Sequence, residues 1–322
     1  MSEGTGAGTP VEEAAPSART VSGLRVGVGL LLGVIVVLVL LLDGLLGTKG
    51  VLSGAAPGTG LLLALLAAAA AKECFALLEA AGLPSPSGYG AWATFTLLAL
   101  RAWLPAAGVR QGDAAALALA GLLLAVLLPG AARIAFRRPG EAGEGDGMGR
   151  ADLRPLGGLA LGLLLVSFPL ALLLELRLVP PVEGMRAGIP SGLVLATMVV
   201  VACKVGDSAA YFTGRTIGRR PLCRVSPKKT WEGAVAGALA GTAAAAAVGR
   251  AFGLPLHHGL AFGLVVNLAG QGGDLLESWL KRCCGAKDSG RTFGEMGGAL
   301  DLVDALLLAG PAGWLFHRVV LA

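Results

Sequence analysis

The chain is poor in charge. Asp, Glu, Lys and Arg make up 15% of its 322 residues, against 55% hydrophobic ones. Two soluble domains of that combined length would carry more polar surface, so the composition argues for a polytopic membrane protein. Histidine is scarce, with three residues, and cysteine is limited to five. No Cys/His cluster is present to bind zinc, which leaves hard divalent cations on oxygen ligands as the metal chemistry open to the chain. An odd cysteine count, with Cys283 and Cys284 adjacent, gives no disulfide framework, and reduced thiols facing the cytosol are expected. The formal charge of +5 is modest, and its basic residues gather in a few loops, which excludes a nucleic-acid surface.

Long apolar runs are abundant. Val26 to Leu46 is long enough to cross a bilayer, with Asp43 as its only acid. Fifty-one glycines suit close helix packing in lipid. The expected fold class is all-α, a polytopic transmembrane helical bundle of about nine spans with a polar cavity open to the cytosol in its C-terminal half. The spans run roughly over 24–47, 58–81, 89–109, 112–135, 155–178, 190–213, 232–250, 258–278 and 297–318. Four regions follow: a disordered cytosolic tail at 1–21, an N-terminal transmembrane scaffold at 22–135, a flexible cytosolic linker at 136–154, and a C-terminal catalytic region at 155–322.

Charge placement sets the orientation. Arg133, Arg137, Arg138, Arg150 and Arg154 mark one loop, Arg215, Arg219, Arg220, Arg224, Lys228 and Lys229 a second, and Lys281, Arg282, Lys287 and Arg291 a third. Opposite loops, near Lys49, Arg110, Arg186 and Arg250, are poorer in base, so the rich ones belong inside. The expected location is an integral membrane protein of the bacterial inner (cytoplasmic) membrane, with the active site facing the cytosol. In the N-terminal half, Lys72, Glu73 and Glu79 read as a snorkelling cluster at the interface, with a polar cavity as the alternative. His257 and His258 read as solvated loop residues, and Trp103, Trp279 and Trp314 as packing or interface anchors.

Acids and bases concentrate between Gly270 and Leu306. Asp274, Glu277, Ser278 and Lys281 fall at i, i+3, i+4 and i+7, one polar stripe on a helix. Asp288 follows in a loop, and Asp301 and Asp304 share a face. Charge at membrane depth normally lines a cavity or a site. Lys204, Asp207, Ser208 and Tyr211 share another helical face, and Ser226-Pro227 is expected to open a helix with Lys228, Lys229, Trp231 and Glu232 in its first turns. Two lysines beside a helix N-terminus suit a phosphate, with simple membrane anchoring as the equal alternative.

The segment SPKKTWEG from Ser226, preceded by GDSAAYFTGR and followed by GDLLESWLKRCCGAKDSG and a Gly-Gly-Ala-Leu-Asp-Leu-Val-Asp ending, resembles the phosphatidate cytidylyltransferase (CDP-diacylglycerol synthase) family. The likeness covers about the last 120 residues in order and spacing. It implies transfer of CMP from CTP to phosphatidate, giving CDP-diacylglycerol and pyrophosphate. The family's functional positions carry over to Asp207, Lys228, Lys229, Glu232, Asp274, Glu277, Ser278, Lys281, Arg282, Lys287, Asp288, Ser289, Gly290, Gly297, Gly298, Asp301 and Asp304.

A phosphomonoester is already largely dianionic at neutral pH, so catalysis reduces to positioning and charge neutralisation by Mg²⁺ and basic side chains. Asp274 and Asp301 are the expected principal metal ligands, with Asp288 and Asp304 as further ones, for two Mg²⁺ ions or one Mg²⁺ with a monovalent cation such as K⁺. Asp274, Asp301, Lys281 and Asp288 form the expected catalytic set. Lys228, Lys229, Arg282 and Lys287, with Ser226 and Asp207, would hold substrate oxygens, and Glu277 and Ser278 would orient ligands or water. A structural alternative for Glu277 and Asp304 is pairing with a neighbouring base. The expected partners are CTP, phosphatidate and membrane lipid, with a homodimer compatible with the small-residue faces.

The chain departs from the family pattern at Gly294, Glu295 and Met296, where Pro-Gly-His is usual, at Leu302, where Arg is usual, and at Ala305, where Ser is usual. The first change removes a metal or phosphate contact and the second a phosphate donor, while Glu295 adds a carboxylate. Alternatives in the same chemistry are a CTP-dependent lipid kinase, which would release CDP, and a cytidylyltransferase for another lipid. An inactive divergent paralogue and, from a different class, an ion or solute transporter are also compatible with the acids.

Overall fold

The computed structural model describes residues 56–107, 150–294 and 297–322, with Val39, Asp43, Val109, Ala120, Gly121, Leu124 and Leu128. The tail at 1–21, most of the expected spans at 24–47 and 112–135, the linker up to residue 149, and Glu295 and Met296 lie outside the described residues.

Helices α1 (Pro57–Ala80) and α2 (Ser87–Trp103) form a hairpin. Next come α3 (Arg150–Gly162) and α4 (Phe168–Arg177), then α5 (Ser191–Ile217), α6 (Trp231–Ala251), α7 (Leu256–Cys283), the short α8 (Ala299–Val303) and α9 (Leu306–Phe316). Five stretches are long and apolar enough to cross a membrane: Pro57–Ala80, Arg154–Arg177, Ser191–Ile217, Trp231–Ala251 and Ala299–Leu321. They fall on five of the expected spans within a few residues, while α2 and α7 correspond to 89–109 and 258–278. The all-helical membrane class therefore holds among the described residues.

Three local details differ from expectation. Helix α3 begins at Arg150, so the end of the expected linker is already helical. His257 and His258 lie in the first turn of α7, not in a loop, because Pro255 sets the helix start just before them. The last span is broken: α8 ends at Val303 and α9 starts at Leu306.

The chain's chemistry explains how these helices sit together. Between α3 and α4, Leu163–Ser167 forms a π-helical turn in which Phe168 N–H reaches back to Leu163 O. Pro169 has no N–H to give, and the wider turn absorbs that loss. At the start of α1, where Ala56 offers no side-chain cap, the buried Asp43 accepts from Gly58 N–H at 2.9 Å and Thr59 N–H at 2.5 Å. An acid at a helix N-terminus complements its unpaired donors. Buried Arg101 of α2 pairs with Glu175 of α4.

Packing in the C-terminal half rests on small residues. Gly233, Gly237 and Gly241 recur every fourth position on α6 and face Gly206, Ala210 and the Ala202 carbonyl of α5 closely enough that a Cβ on any of the three glycines would collide. Into this seam α7 sends Asn267, whose amide donates to Ala202 O at 2.8 Å, and Gln271, which donates to Asn267 Oδ1 at 2.9 Å and Ala234 O at 3.1 Å. Polar side chains of this kind join helices where water is absent.

Candidate active site

The site is built on α5, α6, α7 and the loop joining α5 to α6. That loop does not continue into a helix at Ser226. Ser226 O accepts from Lys229 N–H at 3.1 Å, closing a turn with Pro227 in its second position, as proline's fixed φ favours. Leu222 N–H donates to Lys229 O at 2.7 Å, Trp231 N–H to Arg220 O at 3.0 Å, and Pro221 pairs with Thr230. Helix α6 begins only at Trp231, with Thr230 in extended geometry as its N-cap and its hydroxyl accepting from Gly233 N–H at 3.2 Å. Lys228 and Lys229 thus precede the helix instead of forming its first turn. The cap wins because threonine satisfies a free helix donor from outside, while proline-led turn geometry suits the residues before it. Glu232 accepts from the backbone N–H groups of Arg219 and Arg220 at 3.2 and 3.3 Å, which fastens the basic loop to α6.

This arrangement leaves a cavity of about 550 Å³ lined by Asp207, Tyr211 and Arg215 of α5, Ser226, Lys228 and Lys229 of the turn, and Gln271 and Asp274 of α7, among others. Lys229 Nζ donates to Asp274 Oδ2 at 2.8 Å. The other carboxylate oxygen, Asp274 Oδ1, is buried without a donor among the described residues. Asp207 and Asp304 both lie within electrostatic range of Asp274, and Lys204 is a counter-charge to both. Lys204 Nζ also donates to Leu302 O at 3.3 Å.

One helical turn further along α7 is a second centre. Lys281 Nζ donates to Glu277 Oε2 at 2.8 Å and to Asp301 Oδ1 at 2.7 Å, tying α7 to α8. Asp301 Oδ2 accepts from Gly298 N–H at 2.8 Å and lies 3.0 Å from the Ser289 hydroxyl. Gly297, at φ +103°, makes the turn that brings Gly298 to this carboxylate, a backbone shape disfavoured for side-chain-bearing residues. Asp304 Oδ1 accepts from the Ala305 N–H at 2.7 Å.

Of the residues singled out by sequence, Asp207, Ser226, Lys228, Lys229 and Asp274 gather at the cavity, and Glu277, Lys281 and Asp301 at the second centre. Ser278 is half-buried on α7. Arg282, Lys287 and Asp288 are exposed at the end of α7 and in the loop after it, where Arg282 donates to Ala286 O. Sequence reading missed Gln271, Asn267 and the cap at Thr230. It also misassigned Glu73, which is 7% exposed and bonds to the loop before α8, whereas Lys72 and Glu79 are exposed as snorkelling requires. An acid in the middle of an apolar run was the signal for Glu73.

The donor set fits Mg²⁺ chemically. It is all oxygen, and Asp274 Oδ1 has a lone pair that no donor among the described residues engages. Among the described residues no group of three or more His, Cys, Asp or Glu converges as a metal cage. Mg²⁺ needs none, since it is commonly held by one or two carboxylates with substrate phosphates and water completing its shell.

The fold and site define a helical membrane protein with acidic and basic side chains gathered at a cavity of about 550 Å³. The chain matches the Cytidylyltransferase family over residues 24–320 and belongs to it. It is similar to the phosphatidate cytidylyltransferase of Brucella suis, 39% identical over 137 residues that make up 42% of this chain and 51% of that protein. It is also similar to the Thermotoga maritima phosphatidate cytidylyltransferase, at 34% over 137 residues, 40% of this chain and 51% of that one. A plant protein, phosphatidate cytidylyltransferase 5, chloroplastic, of Arabidopsis thaliana, is 35% identical over 142 residues, 44% of this chain and 36% of the relative. The chain spans about half the length of the curated bacterial relatives it matches.

Proposed function

We propose that the chain is a phosphatidate cytidylyltransferase, which transfers CMP from CTP to phosphatidate and releases pyrophosphate. The observation that carries this reading is the cavity of about 550 Å³ lined by Ser226, Lys228, Lys229, Asp207 and Asp274, with Lys229 paired to Asp274 at its wall. The names of the similar proteins support the same reaction.

In this reading the Ser226–Lys229 turn and Lys228 hold the triphosphate, and Arg282 and Lys287 meet the lipid phosphate as it enters from the membrane. A phosphatidate oxygen attacks the α-phosphorus in line, the bond to the β-phosphate bridging oxygen breaks, and pyrophosphate leaves with that electron pair. Because the attacking phosphate is already ionised near neutral pH, no side chain has to remove a proton. Lys229 and Lys281 keep the carboxylates and phosphates of neighbouring sites apart in charge, and Glu277 and Ser278 orient ligand or water. Mg²⁺, in a two-ion arrangement or with K⁺ as the second cation, would neutralise charge developing on the phosphates and would be held first by Asp274 and Asp301, then by Asp304 and Asp288. The acyl chains stay in the bilayer, with the cavity facing the cytosol of a bacterial inner membrane. A homodimer fits the small-residue helix faces.

The test is product identification with radiolabelled CTP. Purified protein in detergent with Mg²⁺ and phosphatidate should convert the cytidine label into a lipid-soluble product and release pyrophosphate. Label recovered as CDP would replace this reading with a lipid kinase, and label left in CTP would reject turnover.

A further inference from the structure

Glu73 belongs to none of the segments that suggested chemistry, yet α1 carries it into the loop between α7 and α8. Glu73 Oε2 accepts from Leu300 N–H at 2.9 Å and lies 3.2 Å from Ser289 Oγ. Glu73 Oε1 accepts from the Thr292 hydroxyl and, at 3.4 Å, from Thr292 N–H. Ser289 Oγ is at the same time 3.0 Å from Asp301 Oδ2. A hydroxyl has one proton, so Ser289 is a donor shared by the two carboxylates.

A second observation is independent of these bonds. A Cβ on Gly290 or on Gly298 would collide with the Glu73 carboxylate. Two glycines on either side of the loop are therefore seats for this one side chain, and the loop is shaped around it. Among the described residues its bonds go to hydroxyl and backbone donors of the loop before α8 and to the first turn of α8, and none is a salt bridge.

We propose that Glu73 is a positioning residue for Asp301: by tying Ser289 and Thr292 of the loop to Leu300 at the start of α8 it holds the Asp301 carboxylate at Lys281 and in the orientation needed at the metal. This rests on the role given to Asp301 above. The N-terminal hairpin is thereby part of the reaction machinery through one carboxylate.

The test uses the full chain in detergent with Glu73→Gln, Ser289→Ala, the double variant, and Glu79→Gln as a control on the exposed face of the same helix. Gln keeps the shape of Glu but turns one acceptor into a donor, which must then face Leu300 N–H or Thr292. Mn²⁺ binding with CTP present, followed by electron paramagnetic resonance, reads the metal site, and tryptic cutting after the exposed Lys287 and Arg291 reads the loop. Glu73→Gln and Ser289→Ala should each weaken Mn²⁺ binding by about 10- to 100-fold, as loss of a partner supporting a metal ligand does. They should cut faster than wild type, and the double variant should be no weaker than the worse single, because both break one connection. Glu79→Gln should match wild type. Wild-type Mn²⁺ affinity in Glu73→Gln overturns the proposal, even if cutting is faster, since the carboxylate would then anchor the loop alone. A wild-type chain that binds no Mn²⁺ overturns it together with the metal role of Asp301. A wild-type chain that binds Mn²⁺ but transfers no CMP overturns only the assigned reaction.

Discussion

Asp274 and Asp301 both sit against a lysine in the same bundle, but their surroundings differ. Asp301 has donors on both oxygens: Lys281 on one, Gly298 N–H and the Ser289 hydroxyl on the other. Asp274 has Lys229 on one oxygen and, among the described residues, no donor on the other. Lys281 is 14% exposed and lies against Glu277 at 2%, whereas Lys229 is 34% exposed at the rim of a cavity. Asp301 braces α7 to α8, and Glu277 Oε1 beside it is buried without a donor among the described residues; what sets Asp274 apart is that its free oxygen lies at an open cavity. Where a buried carboxylate keeps a free lone pair beside open space, a ligand is the natural partner.

The sharpest way to break this contrast is to remove each lysine. Lys281→Met strands buried Glu277 without its cation and takes one donor from Asp301, and is expected to destabilise the protein by about 3–5 kcal/mol. A large drop in detergent melting temperature would show it. Lys229→Met leaves Asp274 beside the cavity, where water can reach the site. It should leave the melting temperature close to wild type while lowering turnover by about 10²-fold, the scale for loss of one charge-stabilising donor. Equal thermal damage from both would erase the distinction between a brace and an open site.

A smaller effect tests how the open centre is built. Thr230→Ala removes the cap that fixes where α6 starts, at a cost of about 1 kcal/mol. Because the same residue sets the end of the lysine turn, the KM for CTP should rise with the loss of stability, and Thr230→Ser should restore both. The smallest effect is expected at His257 and His258. Their ring centroids lie 4.2 Å apart, with the rings tilted to each other, at the opposite end of α7 from Lys281. Alanine at both should change neither melting temperature nor turnover, and a marked loss of activity would move part of the chemistry to that end.

Much of the architecture could be read from hydropathy, because a helix crossing lipid must be long and apolar, and five stretches satisfy that demand where expected. The polar stripe from Asp274 to Lys281 was likewise legible from helical spacing. Two kinds of information were not. Lys228 and Lys229 looked like a helix start because Ser-Pro is a common opening, but the hairpin pairing of Pro221 with Thr230 is a contact between residues apart in sequence. Glu73 looked like an interface residue because its partners, Ser289, Thr292 and Leu300, lie more than two hundred positions away. Spacing along one helix says which residues share a face, and only packing says what that face meets.

The most direct measurement is pyrophosphate release by the purified chain with CTP, Mg²⁺ and phosphatidate, run beside Asp274→Asn. The asparagine keeps the size of the side chain and removes its charge and half its acceptor capacity. Release that depends on phosphatidate and falls by about two to three orders of magnitude in Asp274→Asn, with the variant still folded, is the expected result. Release that persists at the wild-type rate in Asp274→Asn would contradict the assignment of the open centre as the place where the nucleotide phosphates are handled.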